Sequence, residues 1–328
     1  MSAISARAGR VTTSMRDSSM HCRHIAAVVT TPFAALVLSA CTERGPVEEA
    51  FPTRLAAAER VVAIGDLHGD LEAARQALRL GGAIDTNDRW IGGDLVVIQT
   101  GDILDRGDEE EAVMQLFQRL QEEAERAGGA VHLLNGNHEL MNAYQDFRYV
   151  TPGGFADFED AAVVDAADSL LATLEPGQRP RAAAFVPGGP VARLLAQRNT
   201  VLIVGNSLFV HGGILPEHVD RGLDRMNEEI RAWLRAEAPQ PAWIRGDRSP
   251  VWARSFSREP GVETCDTLSS VLDRLDVERM VVGHTVQRTG VTAFCGGRVW
   301  CIDVGMAAHY GGRPAVLEIR GNEVRGLR

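Results

Sequence analysis

Short apolar runs that each stop at a polar cluster set the pattern of this chain. Val61-Val62-Ala63-Ile64 ends at Gly65-Asp66, Leu95 to Thr100 ends at Gly101-Asp102, and Ala130 to Leu134 ends at Asn135-Gly136-Asn137-His138. Such runs, bounded by glycine and polar residues, read as buried strands. Between them the period becomes helical: Leu71, Ala74 and Leu78 recur along a helix predicted from Asp70 to Leu80, and a longer one is predicted from Glu109 to Ala127. This alternation predicts an α/β fold. Polar residues at the strand ends then lie on the rim where such sheets bind ligands.

Residues 142–199 break the pattern with Phe, Pro and Gly clusters and alanine-rich runs, and read as an inserted lid or substrate-shaping segment. Thr200 to Val204 and Leu208 to Val210 around Gly205-Asn206 predict a hairpin. A helical stretch from Pro216 to about Glu237 follows, then a Pro- and Trp-bearing stretch to Pro260. Strands resume at Met280 to Gly283, Val291 to Phe294, Val299 to Val304 and Ala315 to Ile319. No repeat interrupts this. The expectation is one catalytic domain over 61–328, with insertions at about 142–199 and 216–260.

The N-terminal segment differs in kind. Arg16 and Arg23 precede an apolar stretch from Ile25 to Ala40, shorter than a membrane span but suited to a signal-peptide core. Its end, Leu38-Ser39-Ala40-Cys41, resembles a bacterial lipobox, and Met15 or Met20 offers a later start. Residues 1–40 are therefore expected to be a lipoprotein signal peptide, with Cys41 diacylated and residues 41–60 a tether. Two acyl chains anchor stably. That implies the periplasmic side of a bacterial cell envelope, with Thr42 compatible with the outer membrane.

Charge and composition narrow the chemistry. The net charge is −10; residues 1–40 carry Arg7, Arg10, Arg16 and Arg23 against Asp17, a net +3, so the rest stands at −13. A domain this acidic is poorly suited to nucleic acid, whose binding rests on many basic groups. All 34 basic residues are arginine, which removes Schiff-base and P-loop lysine chemistry. In an oxidising compartment Cys265, Cys295 and Cys301 leave one odd thiol, and a Cys265–Cys295 bridge is the favoured pairing.

Five polar motifs follow in order: Gly65-Asp66-Leu67-His68-Gly69, Gly101-Asp102-Ile103-Leu104-Asp105-Arg106-Gly107, Gly136-Asn137-His138-Glu139, His211-Gly212-Gly213 and Gly283-His284-Thr285. Together they supply Asp, Asn and His donors of the kind that suit Mn, Fe, Zn or Mg. The ordered set resembles the calcineurin-like metallophosphoesterases, and its second motif resembles the PPP-type phosphatases. Met280 to Thr285 and Ile302-Asp303-Val304-Gly305-Met306 are similar to the Shewanella-like phosphatases.

The resemblance implies a two-sheet sandwich flanked by helices, with helical insertions and two divalent metal ions. Asp66 and His68 would hold the first metal, Asp102 would bridge both, and Asn137, His211 and His284 would complete the second. A metal-bridging water would attack phosphorus directly, His138 would act as general acid with Asp105 as its partner, and Arg106 would clamp the phosphate. A second phosphate-binding arginine is assigned to Arg254, with Arg245 and Arg248 as alternatives. His132 is expected within a strand, His218 in solvent and His309 near the cleft without ligating; Trp233, Trp243 and Trp252 are read as packing residues. The expected activity is phosphomonoester hydrolysis on a phosphorylated protein, peptide or small molecule. Nucleotide pyrophosphohydrolysis or diester cleavage of the diadenosine tetraphosphatase type is the alternative, and a dead, lipid-anchored binding protein is the alternative of another class.

Overall fold

β2 (Val61–Ile64) is buried along its whole length, which explains its unbroken apolar run. Its side chains serve two layers by the two-residue period of a strand. Val62 and Ile64 pack on helices α1 (Leu71–Leu80) and α2 (Glu110–Ala127). Val61 and Ala63 point the other way, into a core shared with Leu202, Phe209 and Val281 of a second sheet and with Ile302 just past its strand β9 (Val299–Cys301). The computed structural model describes residues 51–161 and 171–328. The expected signal peptide, the lipidated Cys41 and the tether up to residue 50 lie outside the described residues.

The first sheet has the order β11-β10-β2-β3-β4. β2, β3 (Val96–Gln99) and β4 (Ala130–Leu133) run parallel, with Val61 opposite Val96 and Val96 opposite Ala130. β10 (Val316–Arg320) is antiparallel to β2 and to β11 (Glu323–Leu327). The second sheet has the order β1-β5-β6-β7-β9-β8. It contains β1 (Arg54–Leu55), the hairpin β5 (Val201–Val204) and β6 (Ser207–Val210), then β7 (Arg279–Val282), β8 (Thr292–Phe294) and β9 (Val299–Cys301). β6, β7 and β9 are parallel. Each sheet therefore delivers the carboxyl ends of three parallel strands, and all five polar motifs follow those ends.

On the outer face of the second sheet, α7 (Pro216–Arg221) and α9 (Val262–Leu275) contribute Val219, Leu268, Val271 and Leu272 to a separate core. α3 (Asn137–Ala143), α4 (Pro152–Ala156), α5 (Arg179–Phe185), α6 (Pro190–Leu195) and α8 (Leu223–Leu234) complete the fold. Among the described residues no helix is long and apolar enough to cross a membrane.

Several expectations need correction. The tether does not extend to residue 60: Thr53 is buried, and Arg54 and Leu55 pair with Ile203 and Val204 at the edge of the second sheet. Two residues are too few to show a strand period. The helix expected from Pro216 to Glu237 is two, broken at Gly222, whose φ of 89° ends α7. His218 is buried, not solvated, because its Nδ1 accepts the Leu215 N–H and closes the turn at the start of α7. Segment 142–199 is more than a lid: Phe158, Phe185, Val191 and Leu195 are part of the core beside α2. The expected Cys265–Cys295 disulfide is present and ties α9 to the turn after β8, while Cys301 is free and buried.

Candidate functional site

Asp66 and His68 sit in the turn from β2 to α1, Asp102 follows β3, Asn137 opens α3 after β4, and His211 and His284 follow β6 and β7. Three of these residues hold the left-handed backbone that side chains seldom adopt: His68 (φ 46°), Asp102 (φ 59°) and His284 (φ 65°). Asp105 (66°) and Arg106 (70°) do so as well. Such strain is kept only where the surroundings over-determine it. Here the Asp102 carbonyl accepts the N–H groups of both Leu67 and His68 at 3.0 Å, stitching the first two motifs together. Glycine is required where backbones crowd the donors: a Cβ on Gly283 would stand 2.5 Å from Asp66 Oδ1, and one on Gly136 would overlap Asp102 Oδ1.

The six donors converge. His211 Nε2 lies 2.9 Å from Asn137 Oδ1, 3.1 Å from Asp102 Oδ2 and 3.2 Å from His284 Nδ1. On the other side of Asp102, His68 Nε2 is 3.9 Å from Asp66 Oδ2. Two buried groups, His68–Asp102–His138 and Asp102–His211–His284, each place their ligand atoms within 4.8 Å of one another. Asp102 belongs to both, as a bridging carboxylate must.

Electrostatics make the same point. Burial pushes the Asp66 carboxyl well above the ordinary carboxylate range, with neighbouring Asp303 and Asp102 adding to the push against His211. Asp303, also buried, is raised to about 6 chiefly by burial. For Asp102, burial is outweighed by the charges of His211 and His138, which hold it well below its usual value. Burial also acts on His211, but Asp102 and Asp66 overcome it and raise the imidazole to about 9. Three buried carboxylates facing one another call for positive charge, and two divalent cations on this O/N donor set satisfy that need.

Beside the donors stands a second network. His138 Nδ1 is 2.5 Å from Asp105 Oδ2, and Asp105 Oδ1 accepts from Asn142 Nδ2 at 2.9 Å and Arg181 Nη2 at 3.2 Å. Arg181 also donates to Glu110 Oε2 (2.5 Å), Gly154 O (2.7 Å) and Asn142 Oδ1 (2.8 Å), with its guanidinium packed on Phe158 and Phe185. Arg181 is wholly buried. Burial raises Glu110 to about 7, in spite of Arg181. Glu139 braces the loop from beneath, accepting the N–H groups of Asp102 (2.8 Å), Ile103 (2.8 Å) and Gly136 (2.7 Å).

A cavity of about 280 Å³ opens over the donors, lined by Arg106, Arg254, Arg258, Tyr149, Trp252 and Tyr310 among others. Arg106 is flanked by the rings of Tyr149 (4.9 Å) and Tyr310 (5.1 Å). Arg254 Nη1 donates to His284 O at 2.7 Å and Thr285 Oγ1 at 3.0 Å. Neither alternative reaches the cavity: Arg245 stacks on Tyr144 and Arg248 pairs with Glu217. His132 lies in β4 and is half-buried, and His309 is exposed beside Tyr310.

Sequence reasoning missed Glu110, Asn142, Arg181, Arg258 and Tyr149, gave Glu139 and Asp303 no role, and placed Tyr310 beside His309 at the cleft, where Tyr310 lines the cavity. Glu139 and Asp303 stood inside quoted motifs. Arg181 sits in an alanine-rich run that signals only a helix.

Comparison with known proteins agrees with this geometry. The calcineurin-like phosphoesterase family matches residues 59–288. Shewanella-like protein phosphatase 2 of Arabidopsis thaliana is 43% identical over 304 residues, covering 83% of this chain and 78% of the plant protein. An uncharacterized protein of Schizosaccharomyces pombe is 32% identical over 273 residues, covering 80% and 78%. Among solved structures, the cold-active protein-tyrosine phosphatase of a psychrophilic Shewanella species superposes with a TM-score of 0.69 at 27% identity, covering 85% of this chain and 83% of that one.

Proposed function

Because the chain belongs to the calcineurin-like metallophosphoesterases and is a metal-dependent phosphoesterase, we propose that it hydrolyses phosphomonoesters on proteins or peptides. The observation that carries this reading is the His138–Asp105 pair, set beside the converging donors and facing a small cavity lined by three arginines, Arg106, Arg254 and Arg258. Asp66, His68 and Asp102 would hold one cation, and Asp102, Asn137, His211 and His284 the other. The cations, when bound, supply Lewis acidity and an acidified water as nucleophile.

The chain's own residues do the rest. Arg106 and Arg254 bind the phosphoryl oxygens, since a guanidinium matches a phosphate face with paired donors. The rings of Tyr149 and Tyr310 hold Arg106 in place without neutralising it. His138 donates a proton from Nε2 to the departing oxygen, while Asp105 keeps its Nδ1 proton fixed. His138 Nε2 is 3.7 Å from Asp102 Oδ2, within range of a ligand role, so metal content is the discriminating readout. A His138→Ala variant that keeps its metal but loses turnover is an acid; one that loses metal is a ligand. The two tyrosines beside Arg106 suit an aryl phosphate, and the psychrophile's tyrosine phosphatase supports that preference.

The assay compares p-nitrophenyl phosphate with its bis ester, and phosphotyrosine with phosphoserine peptides. Faster turnover of the diester would replace this reading with the phosphodiesterase one. For the address, the reading is a lipoprotein held through Cys41 on the periplasmic side, supported by the Arg16/Arg23 flank, the apolar run to Ala40 and the lipobox. A Cys41→Ser variant should leave the membrane fraction; its retention there would count against lipidation.

A further inference from the structure

A second groove of about 740 Å³ adjoins the catalytic cavity, and the two share Val286 and Tyr310 as a common wall. Its charged lining is Arg288, Arg313 and Arg328, with no carboxylate side chain among its lining residues. On a chain of net charge −10 this is unusual. Among the described residues most arginines are paired with carboxylates, Arg60, Arg75, Arg79, Arg119 and Arg181 among them. Arg328 donates to the Thr289 carbonyl at 2.8 Å. Arg288 and Arg313 are exposed, and neither makes a hydrogen bond or ion pair with any described residue.

The contrast across the cleft is informative. The groove on the side of Trp252 and Arg254 mixes signs, and its Arg248 is already bound to Glu217. Arg258 on that side is exposed and unpaired among the described residues but shares its groove with Glu217, Asp247 and Glu263, whereas the Val286 side sets its arginines among no carboxylate side chains. Its floor is bare backbone at Gly305, where a Cβ would meet Val286 Cγ1 at 2.9 Å and Tyr310 Cβ at 3.0 Å. Glycine there lets the shared wall close between groove and cavity. A peptide whose phosphorylated residue enters the cavity would lay its next residues along this wall.

We propose that the Arg288/Arg313 groove is a substrate subsite for an anionic group flanking the phosphorylated residue, so that the enzyme selects acidic peptides. This rests on the phosphatase reading above and adds the substrate class. The anion could be an Asp or Glu carboxylate or a second phosphate, and the test separates them.

Metal-loaded full-length protein would be assayed on p-nitrophenyl phosphate and on phosphotyrosine and phosphoserine peptides with neutral, acidic or second-phosphate flanks on either side. Two exposed charge pairs are together worth about a fivefold preference in kcat/KM, read mainly in KM and falling with salt. The Arg288→Ala/Arg313→Ala variant should lose that preference while its p-nitrophenyl phosphate turnover stays unchanged, which also shows that it is folded. Arg313→Glu should favour neutral flanks. A wild-type enzyme indifferent to flanking charge, or a preference that survives the double variant, overturns the subsite alone. Cleavage of p-nitrophenyl phosphate without cleavage of any peptide overturns the subsite and the peptide substrate but leaves the phosphomonoesterase. Failure to cleave p-nitrophenyl phosphate with any metal overturns the phosphatase reading, and the subsite with it.

Discussion

His138 and Asp105 are joined at 2.5 Å, and the carboxylate that orients the imidazole is itself held by Arg181 from a segment far away in sequence. The His138 imidazole thus rests on a buried chain of charges anchored in α5. If His138 acts as general acid, its loss should matter most when the leaving group is poor. His138→Ala should lower kcat by about 10²- to 10⁴-fold on phenyl or alkyl phosphates and much less on p-nitrophenyl phosphate. Plotting kcat against leaving-group pKa for wild type and variant checks this; parallel lines would remove the acid role.

Arg181 contacts Asp105 and Glu110, and all three are buried. Arg181→Met removes the buried cation shared by both carboxylates, leaving Asp105 to His138 and Asn142 and Glu110 to the Asp105 N–H. Breaking a buried pair costs about 3–5 kcal/mol. Urea unfolding should show that loss. Adding Glu110→Gln should recover part of it, because the remaining unpaired charge is smaller.

Glu318 supplies a pH signature away from the site. Burial alone would push its carboxyl up, but hydrogen bonds and charge from Arg60 and Arg325 outweigh it and hold it at about 2, against an ordinary 4.5. A lowered carboxylate contributes stability above the unfolded value, and that stability is lost as pH falls through the folded one. Thermal stability should therefore fall between about pH 4.5 and 2, and Glu318→Gln should flatten that part of the profile.

The Cys265–Cys295 disulfide closes a loop with a sequence separation of 30. By chain entropy it is worth about 3.6 kcal/mol. Reduction, or the paired Cys→Ser variant, should lower the melting temperature while leaving p-nitrophenyl phosphate turnover near wild type at low temperature, because neither cysteine lines the catalytic cavity. Cys301 offers no replacement thiol, since it is buried and burial pushes it up to about 12.

Much of this architecture was legible because β2, β6 and β7 are buried on both faces and the strands that carry chemistry end in glycine-flanked motifs. β2, β3 and β7 announced themselves as apolar runs, and Asp66, Asp102 and His284 stood where those runs stopped. β1 and β11 were not legible: one has two residues, and the other is a largely exposed edge strand. Arg181 was invisible for another reason. Its role comes from α5 packing beneath His138, a tertiary contact that no local pattern encodes. Arg254 was separable from Arg245 and Arg248 only in three dimensions, where Tyr144 and Glu217 occupy the other two.

The most direct test is metal titration of the stripped chain with Mn, Zn or Mg, following bound metal and p-nitrophenyl phosphate hydrolysis together, with Asp102→Asn in parallel. Asp102 touches both donor groups. Activity should rise to a plateau at two metal equivalents, and Asp102→Asn should bind less metal and lose nearly all turnover. Full activity in the stripped chain, or an Asp102→Asn variant as active as wild type, would contradict a site built around these donors.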